Sequence, residues 1–360
     1  MAVVPSERTK IMSLEPGELK GAMTIFQALV DEDCRDHRGI AEFLWKIVRR
    51  RGFIPPYLIV KGVKKVSGVA ARAGGYADVW QGIVEGRLVA LKEIRFINKE
   101  VHTAALKEVG KEAMIWRQMN HKNVLPFYGC CDDLFSPRVA LVSPWMEHGD
   151  LMGYLSRNPD VHRFELVSGI ASGLCYLHEA KGVVHGDLRG SNVLIEHNGE
   201  PRIADFGLTR LVDLEIFSAT KSQYNSQGSL RWMAPELFSE SHWPSKGSDT
   251  YAFACLCLEI FTGDVPFQGW REPVVMNKVL SGERPRRPVG IAVQRGLDDR
   301  MWSVMKDCWK QKSADRPMMK DVYARIPPFC GWSVENDDEQ KTVTDSILRR
   351  LEVFDMPEFS

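Results

Sequence analysis

The periodicity of the apolar residues changes near residue 150 of this 360-residue chain. Three earlier segments have the apolar pattern of β-strands: 79–84, 88–96 and 138–145. The segment "EGR" between the first two predicts a hairpin, and a helix is predicted over 103–119. Three later segments have helical spacing: 164–180, 249–263 and 299–311. A strand-rich part followed by a helix-rich part predicts a bilobal α+β architecture with a small β-rich lobe and a larger helical lobe.

The N-terminal region, up to about residue 60, contains two further helical patterns. Segment 17–32 is one, and segment 39–51, which ends in three arginines that suit the helix dipole, is the other. Pro55 and Pro56 end the second pattern. The arginines could bind acidic lipid or a partner, but a solvated helix end is the interpretation that we adopt.

The composition excludes several classes of function. Lys+Arg and Asp+Glu number 47 each, so net charge gives no reason to expect binding to nucleic acid or to a membrane surface. The most apolar window, 251–261, is too short for a bilayer and carries Glu259, so we expect no transmembrane segment. The chain start lacks the pattern of a secretory signal. The eight cysteines lack zinc-site spacing, which favours free thiols in a reducing, cytoplasmic setting.

One segment has the residues needed for phosphoryl transfer. Residues 185–192 read "HGDLRGSN", and Asp205 opens "DFG"; together they resemble the catalytic and metal-binding segments of protein kinases. The resemblance makes Asp187 the acceptor of the substrate hydroxyl proton. It makes Asn192 and Asp205 ligands of Mg²⁺, a hard cation that takes few protein oxygens. Arg189 would face the γ-phosphate.

A second segment resembles a phosphate-covering loop in weakened form. Residues 72–79 read "RAGGYADV", in which Arg72 and Ala77 replace the outer glycines of the kinase pattern. The backbone amides of Gly74, Gly75 and Tyr76 could still face phosphate. A plain glycine turn is the alternative, and the position of the segment before "VALK" favours the phosphate cover.

The cation for the phosphates would be Lys92. Because side chains alternate along a strand, Ala90 and Lys92 share one face, which suits an adenine pocket with phosphates beyond it. In kinases a helical glutamate pairs with this lysine. Glu112 has the expected spacing before "HKNVLPFYG", and Glu108 is the rival partner.

The segment "SPWME" (143–147) would be the hinge that contacts adenine, with the small Ser143 as gatekeeper, followed by Trp145 and Met146. Asp150 either binds the ribose or caps the next helix, and both interpretations stay open. By the same resemblance, Val79, Ala90 and Leu194 would sandwich the adenine.

Two later segments support the resemblance. "GSLRWMAPE" (228–236) is similar to the end of an activation segment, and its Glu236 should pair with Arg316. "SDTYAFA" (248–254) resembles a kinase helix start, in which Asp249 would hold the backbone of the catalytic loop, cap the helix, or do both.

The sequence therefore resembles the eukaryotic protein kinase family over roughly residues 66–328, most closely the tyrosine-kinase-like branch and an expanded fungal group within it. This predicts an N-terminal helical extension (1–62), a kinase domain (63–328, with lobes about 63–146 and 147–328) and a tail (329–360). ATP would bind between the lobes, with Mg²⁺ or, in its place, Mn²⁺. Trp116, Phe127, His185 and Phe206 would form a stacked spine.

The resemblance implies an active kinase with a protein substrate. "DLR" (187–189) resembles cytoplasmic tyrosine kinases, whereas Ser229 stands where Ser/Thr kinases have threonine, and we favour serine or threonine over tyrosine. A pseudokinase scaffold is the alternative, supported by Arg72 and Ala77, and a small-molecule kinase is a third hypothesis. Many kinases use an arginine before the catalytic aspartate to bind a phosphorylated loop. Gly186 stands there in this chain, so we expect activity without loop phosphorylation.

Overall fold

The computed structural model forms two compact units. It describes residues 5–31, 37–51, 54–73, 77–94, 102–135, 138–205, 210–211, 216–217, 229–239 and 242–326. The described residues within Met1–Gln118 and Pro126–Trp145 form the first unit, and those within Met119–Leu125 and Met146–Gly331 form the second. In these described ranges no helix is long and apolar enough to cross a bilayer.

The first unit begins with three helices, α1 (Pro5–Met12), α2 (Pro16–Asp31) and α3 (His37–Arg51). The helices predicted over 17–32 and 39–51 are α2 and α3, and both are confirmed to within two residues at each end. Their apolar faces pack together, with the rings of Phe26 and Phe43 5.8 Å apart edge to face. A short 3-10 turn, Pro56–Leu58, follows at the predicted proline break.

The sheet of the first unit has six antiparallel strands. They are β1 (Lys64–Lys65), β2 (Arg72–Ala73), β3 (Ala77–Val84), β4 (Arg87–Ile94), β5 (Gly129–Cys131) and β6 (Ala140–Pro144). The order is β1-β3-β4-β6-β5, with β2 paired to β3. The predicted hairpin joins β3 to β4 through Glu85 and Gly86, whose φ angles of 49° and 79° are those of a tight two-residue turn. Helix α4 (His102–Arg117) lies between β4 and β5 in the chain.

The second unit is mainly helical. Its helices are α5 (Leu151–Arg157), α6 (Arg163–Cys175), α7 (Lys246–Thr262), α8 (Glu272–Leu280), α9 (Ile291–Gln294), α10 (Asp299–Cys308) and α11 (Met319–Arg325). The short strands are β7 (Val183–Val184), β8 (Val193–Ile195), β9 (Pro201–Ile203), β10 (Arg210–Leu211) and β11 (Ile216–Phe217). The predicted helix over 164–180 becomes a π-helix at Tyr176–Ala180.

The central helix of this unit is α7. Every residue from Ser248 to Phe261 is buried, which explains why its sequence is apolar on all sides. It starts three residues before the predicted position because Ser245, not Asp249, is its N-cap: the Ser245 hydroxyl accepts from the backbone amide of Ser248 at 3.1 Å. The N-cap interpretation of Asp249 is therefore wrong.

Two further predictions for this unit concern side chains. Glu236 and Arg316 form the expected ion pair, with two hydrogen bonds of 2.7 Å and a fully buried guanidinium. The six cysteines within the described residues are free thiols, five of them buried, as expected for structural thiols.

Candidate active site

Lys92 lies on β4, where the side chains alternate as predicted. Val89, Leu91 and Glu93 are buried on one face, while Ala90 and Lys92 are half-buried on the other. The Lys92 Nζ atom donates to Glu112 Oε1 on α4 at 3.5 Å, which confirms the predicted pairing. The strand therefore presents a cation beside a small residue.

Three predicted adenine contacts of the first unit lie on neighbouring strands. Val79 on β3 is opposite Lys92, and Ser143 on β6 is opposite Ala90. The backbone amide of Trp145 donates to the Leu88 carbonyl at 3.3 Å. The positions assigned to the phosphate cover, Gly74, Gly75 and Tyr76, lie outside the described residues.

In the second unit, a buried carboxylate from α7 holds the loop that contains Asp187. The Asp249 carboxylate accepts from the backbone amides of His185 and Gly186 at 2.8 and 2.9 Å, as predicted, and its Oδ2 also lies 2.8 Å from His178 Nε2. Gly186 has a φ of 86°, a conformation that favours glycine over arginine. Glycine at this position therefore avoids backbone strain, and it also removes the positive charge of the usual arginine.

Asp187 has a dense set of polar neighbours. Asn192 Nδ2 donates to its backbone carbonyl at 2.8 Å and to its Oδ2 at 2.9 Å. Arg189 Nε lies 3.4 Å from the same Oδ2. Burial raises the pKa of the Asp187 carboxyl, with a further raising effect from Asp205, while Arg189, His185 and Asn192 act in the opposite direction. A raised pKa improves a carboxylate as a proton acceptor.

The two proposed metal ligands of this unit, Asn192 and Asp205, offer oxygen atoms. The Asn192 amide nitrogen is bound to Asp187, which leaves its Oδ1 for a ligand, with the Ser191 hydroxyl 3.4 Å away. Asp205 is exposed and has a φ of 67°, which aspartate tolerates better than most residues. Such a donor set fits Mg²⁺, which takes one or two protein carboxylates or amides and keeps waters. Among the residues that the structure describes, no three His, Cys, Asp or Glu side chains cluster as a metal cage.

A second buried carboxylate of α7 reaches the same loop, and sequence reasoning missed it. Glu259 Oε2 accepts from the Gly190 amide at 3.0 Å and from Trp232 Nε1 at 2.7 Å. Burial raises the pKa of Glu259 to about 7, although both hydrogen bonds lower it. A lone charge inside the apolar run 251–261 was the available signal, because a buried charge needs a partner.

A small, partly open pocket of about 10 Å³ lies beside Asp187. Its lining includes Ser229, Trp232 and Met233 from the "GSLRWMAPE" segment. This segment therefore approaches the proposed proton acceptor within the second unit.

The family assignment rests on a direct comparison. A family model described as protein tyrosine and serine/threonine kinase matches residues 70–326. The chain belongs to this protein kinase family. The predicted α+β kinase fold, with a β-sheet N-lobe and a helical C-lobe, is confirmed, and the helices α1 to α3 precede the matched residues.

The kinase relatives act on different hydroxyl groups according to their names. Serine/threonine-protein kinase STY46 of Arabidopsis thaliana is 26% identical over 275 residues, which are 75% of this chain and 45% of that protein. Tyrosine-protein kinase SRK3 of Spongilla lacustris is 29% identical, over 69% of this chain and 71% of that protein. Receptor-like cytosolic serine/threonine-protein kinase RBK2 of Arabidopsis thaliana is 32% identical, over 69% of this chain and 55% of that protein. This kinase chain thus spans less than half of the length of STY46.

The remaining predicted residues lie in both units, except for one that lies outside the described residues. Asp150 caps α5, since its Oδ1 accepts from the Gly153 amide at 2.9 Å, which confirms the capping interpretation. Met146 is buried, and Leu194 is half-buried on β8 and bridges to Asp150. Of the predicted spine, Trp116 and Phe127 stack 4.9 Å apart, and His185 is fully buried, whereas Phe206 lies outside the described residues.

Proposed function

We propose that this chain is an ATP-dependent protein kinase that transfers the γ-phosphate of ATP to protein hydroxyl groups, with serine and threonine favoured over tyrosine. The observation that carries the proposal is Asp187, which has a raised pKa in a loop whose backbone is bound to Asp249. A group that is fixed before the substrate arrives avoids part of the entropic and reorganisation cost of the reaction.

In this proposal Asp187 accepts the proton of the substrate hydroxyl while the oxygen attacks the γ-phosphate. Arg189, 3.4 Å from the Asp187 carboxylate, supplies a permanent positive charge beside the phosphate. Arginine at this position keeps the charge of the usual lysine and replaces its point-like geometry by a planar fork.

Lys92 would bind the phosphates of ATP, and Glu112 would orient Lys92 through their 3.5 Å contact. Protein kinases generally use ATP with Mg²⁺, which neutralises charge that develops on the phosphates. Asn192 and Asp205 would hold the cation, and Mn²⁺ could replace Mg²⁺ because it prefers similar oxygen ligands.

The nucleotide contacts proposed from the resemblance fall into three groups. The amides of Gly74, Gly75 and Tyr76 would cover the phosphates. The ribose would bind Asp150, in competition with its capping bond. The adenine would contact Val79, Ala90, Ser143, Trp145, Met146 and Leu194.

Ser229 supports the preference for serine and threonine, because it replaces the usual threonine of Ser/Thr kinases and lines the same pocket as Asp187.

We further propose membership of the tyrosine-kinase-like branch and its expanded fungal group, and the boundaries 1–62, 63–328 and 329–360. A cytoplasmic location is supported by the free thiols among the described cysteines and by the cytosolic relative RBK2. The proposed partners are ATP and a protein substrate, with no nucleic acid.

The test is phosphate transfer by the purified 360-residue chain with Mg²⁺, labelled ATP and a generic protein acceptor. We expect label on serine or threonine in the wild type and a loss of roughly 10²–10⁴-fold in Asp187→Asn. ATP binding should be retained in Asp187→Asn, and the exposed control Asp264→Asn should be as active as the wild type. If the wild type binds ATP but turns over with no acceptor, the pseudokinase alternative replaces this proposal.

A further inference from the structure

Helix α3 presents one continuous apolar stripe. Ile40, Phe43, Leu44, Ile47 and Val48 recur at helical spacing, and none is more than 2% exposed. Helices α1 to α3 precede residues 70–326, which the kinase family model matches, so the family match does not account for what this stripe covers.

Helix α4 requires cover on more than one side. The five consecutive residues from Glu112 to Trp116 are at most 7% exposed. Successive residues of an α-helix are about 100° apart, so five of them occupy its whole circumference. Within the first unit α4 contacts β5 and also α3. The sheet therefore covers one part of α4, and α3 covers another.

The residues between α3 and the sheet fix the N-terminal helices to the same unit. The backbone amide of Val60 donates to the Cys130 carbonyl on β5 at 2.8 Å, and Lys61 pairs with Asp132 at 3.3 Å. At the end of α4, the Arg117 guanidinium lies 6.0 Å from the centre of the Tyr57 ring. These contacts attach the connection after α3 to the region of β5 and to the end of α4.

The contact between Glu112 on α4 and Lys92 on β4 is sensitive to small movements of α4. Glu112 lies in the fully covered part of α4, and its contact with Lys92 is 3.5 Å long, at the upper limit for a hydrogen bond. A displacement of α4 away from Lys92 by less than about 1.5 Å, the rise of one helical residue, would therefore break the contact.

We propose that the buried stripe of α3, which includes the fully buried Ile47, positions Glu112 against Lys92, so that the N-terminal helices act as a built-in positioning element for binding of the ATP phosphates. Ile47 is a positioning residue in this scheme and acts through Glu112. The kinetic test of this inference rests on the proposed kinase function. The second test does not, because it measures hydrogen exchange in α4.

The first test is a double-mutant cycle in the 360-residue chain. Ile47→Ala is measured with and without Glu112→Gln, beside the exposed α3 control Lys46→Ala. We expect Ile47→Ala to lower kcat/KM for ATP about tenfold alone and less than about twofold in the Glu112→Gln background. The affinity for adenosine, which has no phosphates, should be unchanged. Ile47→Leu should restore most of the activity.

Equal losses in both backgrounds, or a parallel loss of adenosine affinity, would overturn the inference, because either result indicates a general effect on the fold. Ile47→Val replaces Ile47→Ala in the same cycle if the alanine variant does not fold.

The second test is independent of turnover. Hydrogen exchange in α4 should accelerate in Ile47→Ala but not in Lys46→Ala, with β8 and β9 unchanged. Unchanged exchange in α4 contradicts the inference whether or not the chain is an active kinase. Absent turnover in the wild type, by contrast, contradicts only the proposed function.

Discussion

The two units of this kinase hold their proposed functional residues by different means. In the second unit, buried carboxylates from α7 bind the catalytic loop: Asp249 accepts from His185 and Gly186, and Glu259 accepts from Gly190. In the first unit, a contact of 3.5 Å joins Lys92 to Glu112, and we propose that apolar packing around α4 sets its geometry.

This difference shows which part of the chain is fixed by its own polar contacts. A buried carboxylate that satisfies several donors cannot leave without exposing each of them to an apolar environment. The contact between Lys92 and Glu112 is at the upper limit of hydrogen-bond length, so its geometry follows the elements that carry it. We therefore expect changes in α7 to unfold the protein and changes around Glu112 to alter its activity.

The largest expected effect is the loss of Asp249. Asp249→Ala leaves two backbone amides and His178 without their acceptor in a buried environment, so the free energy of unfolding should fall by about 3–5 kcal/mol. Urea unfolding measures this change. The exposed control Asp264→Ala should change stability by less than about 0.5 kcal/mol, and a similarly small change in Asp249→Ala would contradict the role of Asp249.

The second prediction concerns Glu259 and pH. Its pKa is about 7 in the folded protein against an ordinary value of 4.5, so between these values the folded state binds a proton that the unfolded state does not. Stability contributed by this group should be present below pH 4.5 and lost as the pH rises through about 7, a total on the order of 3 kcal/mol. Glu259→Gln should flatten this part of the pH profile of unfolding, and an unchanged profile would show that Glu259 does not titrate there.

The third prediction separates activity from stability. Glu112→Gln removes the charge that we propose orients Lys92, so kcat/KM should fall by roughly 10²-fold, while the free energy of unfolding should change by less than about 1 kcal/mol because glutamine keeps the shape and a hydrogen-bonding oxygen of glutamate. Steady-state kinetics and urea unfolding of the same preparation measure both. Glu108→Gln is the matched control, and if it lowers activity more than Glu112→Gln, the assignment of the partner is wrong.

The smallest expected effect is that of loop phosphorylation. Gly186 has no charge to bind a phosphate, so turnover should change by less than about twofold when the loop hydroxyls are removed. The substitutions go to Ala, or to Phe for the tyrosine, at positions that lie outside the described residues: Ser218, Thr220, Ser222, Tyr224 and Ser226. Loss of turnover that acidic substitutions restore would contradict this prediction.

Much of this arrangement could be predicted from the sequence because local patterns specify it. The spacing of apolar residues predicted α2 and α3, and "EGR" predicted the hairpin that leads to Lys92. The reach of Asp249 to the loop followed from the family resemblance. The alternative that Asp249 caps the helix was wrong, because Ser245 stands at the helix start and its hydroxyl accepts from the Ser248 amide.

The contacts that the sequence did not predict join residues that are distant in the chain. Glu259 and Gly190 are 69 residues apart, and no local period encodes their hydrogen bond. The packing of α3 on α4 could not be predicted either, because an apolar stripe predicts that a helix face is buried but not which element buries it.

The central claim is that the loop carrying Asp187 is already fixed in the free protein. Native-state hydrogen exchange at the amides of His185 and Gly186, without nucleotide, tests it most directly. We predict that both amides exchange only through the global unfolding of the second unit, with the same opening free energy as the buried amides of α7. Exchange through a local opening of much lower free energy, in the presence of a folded α7, would contradict the claim.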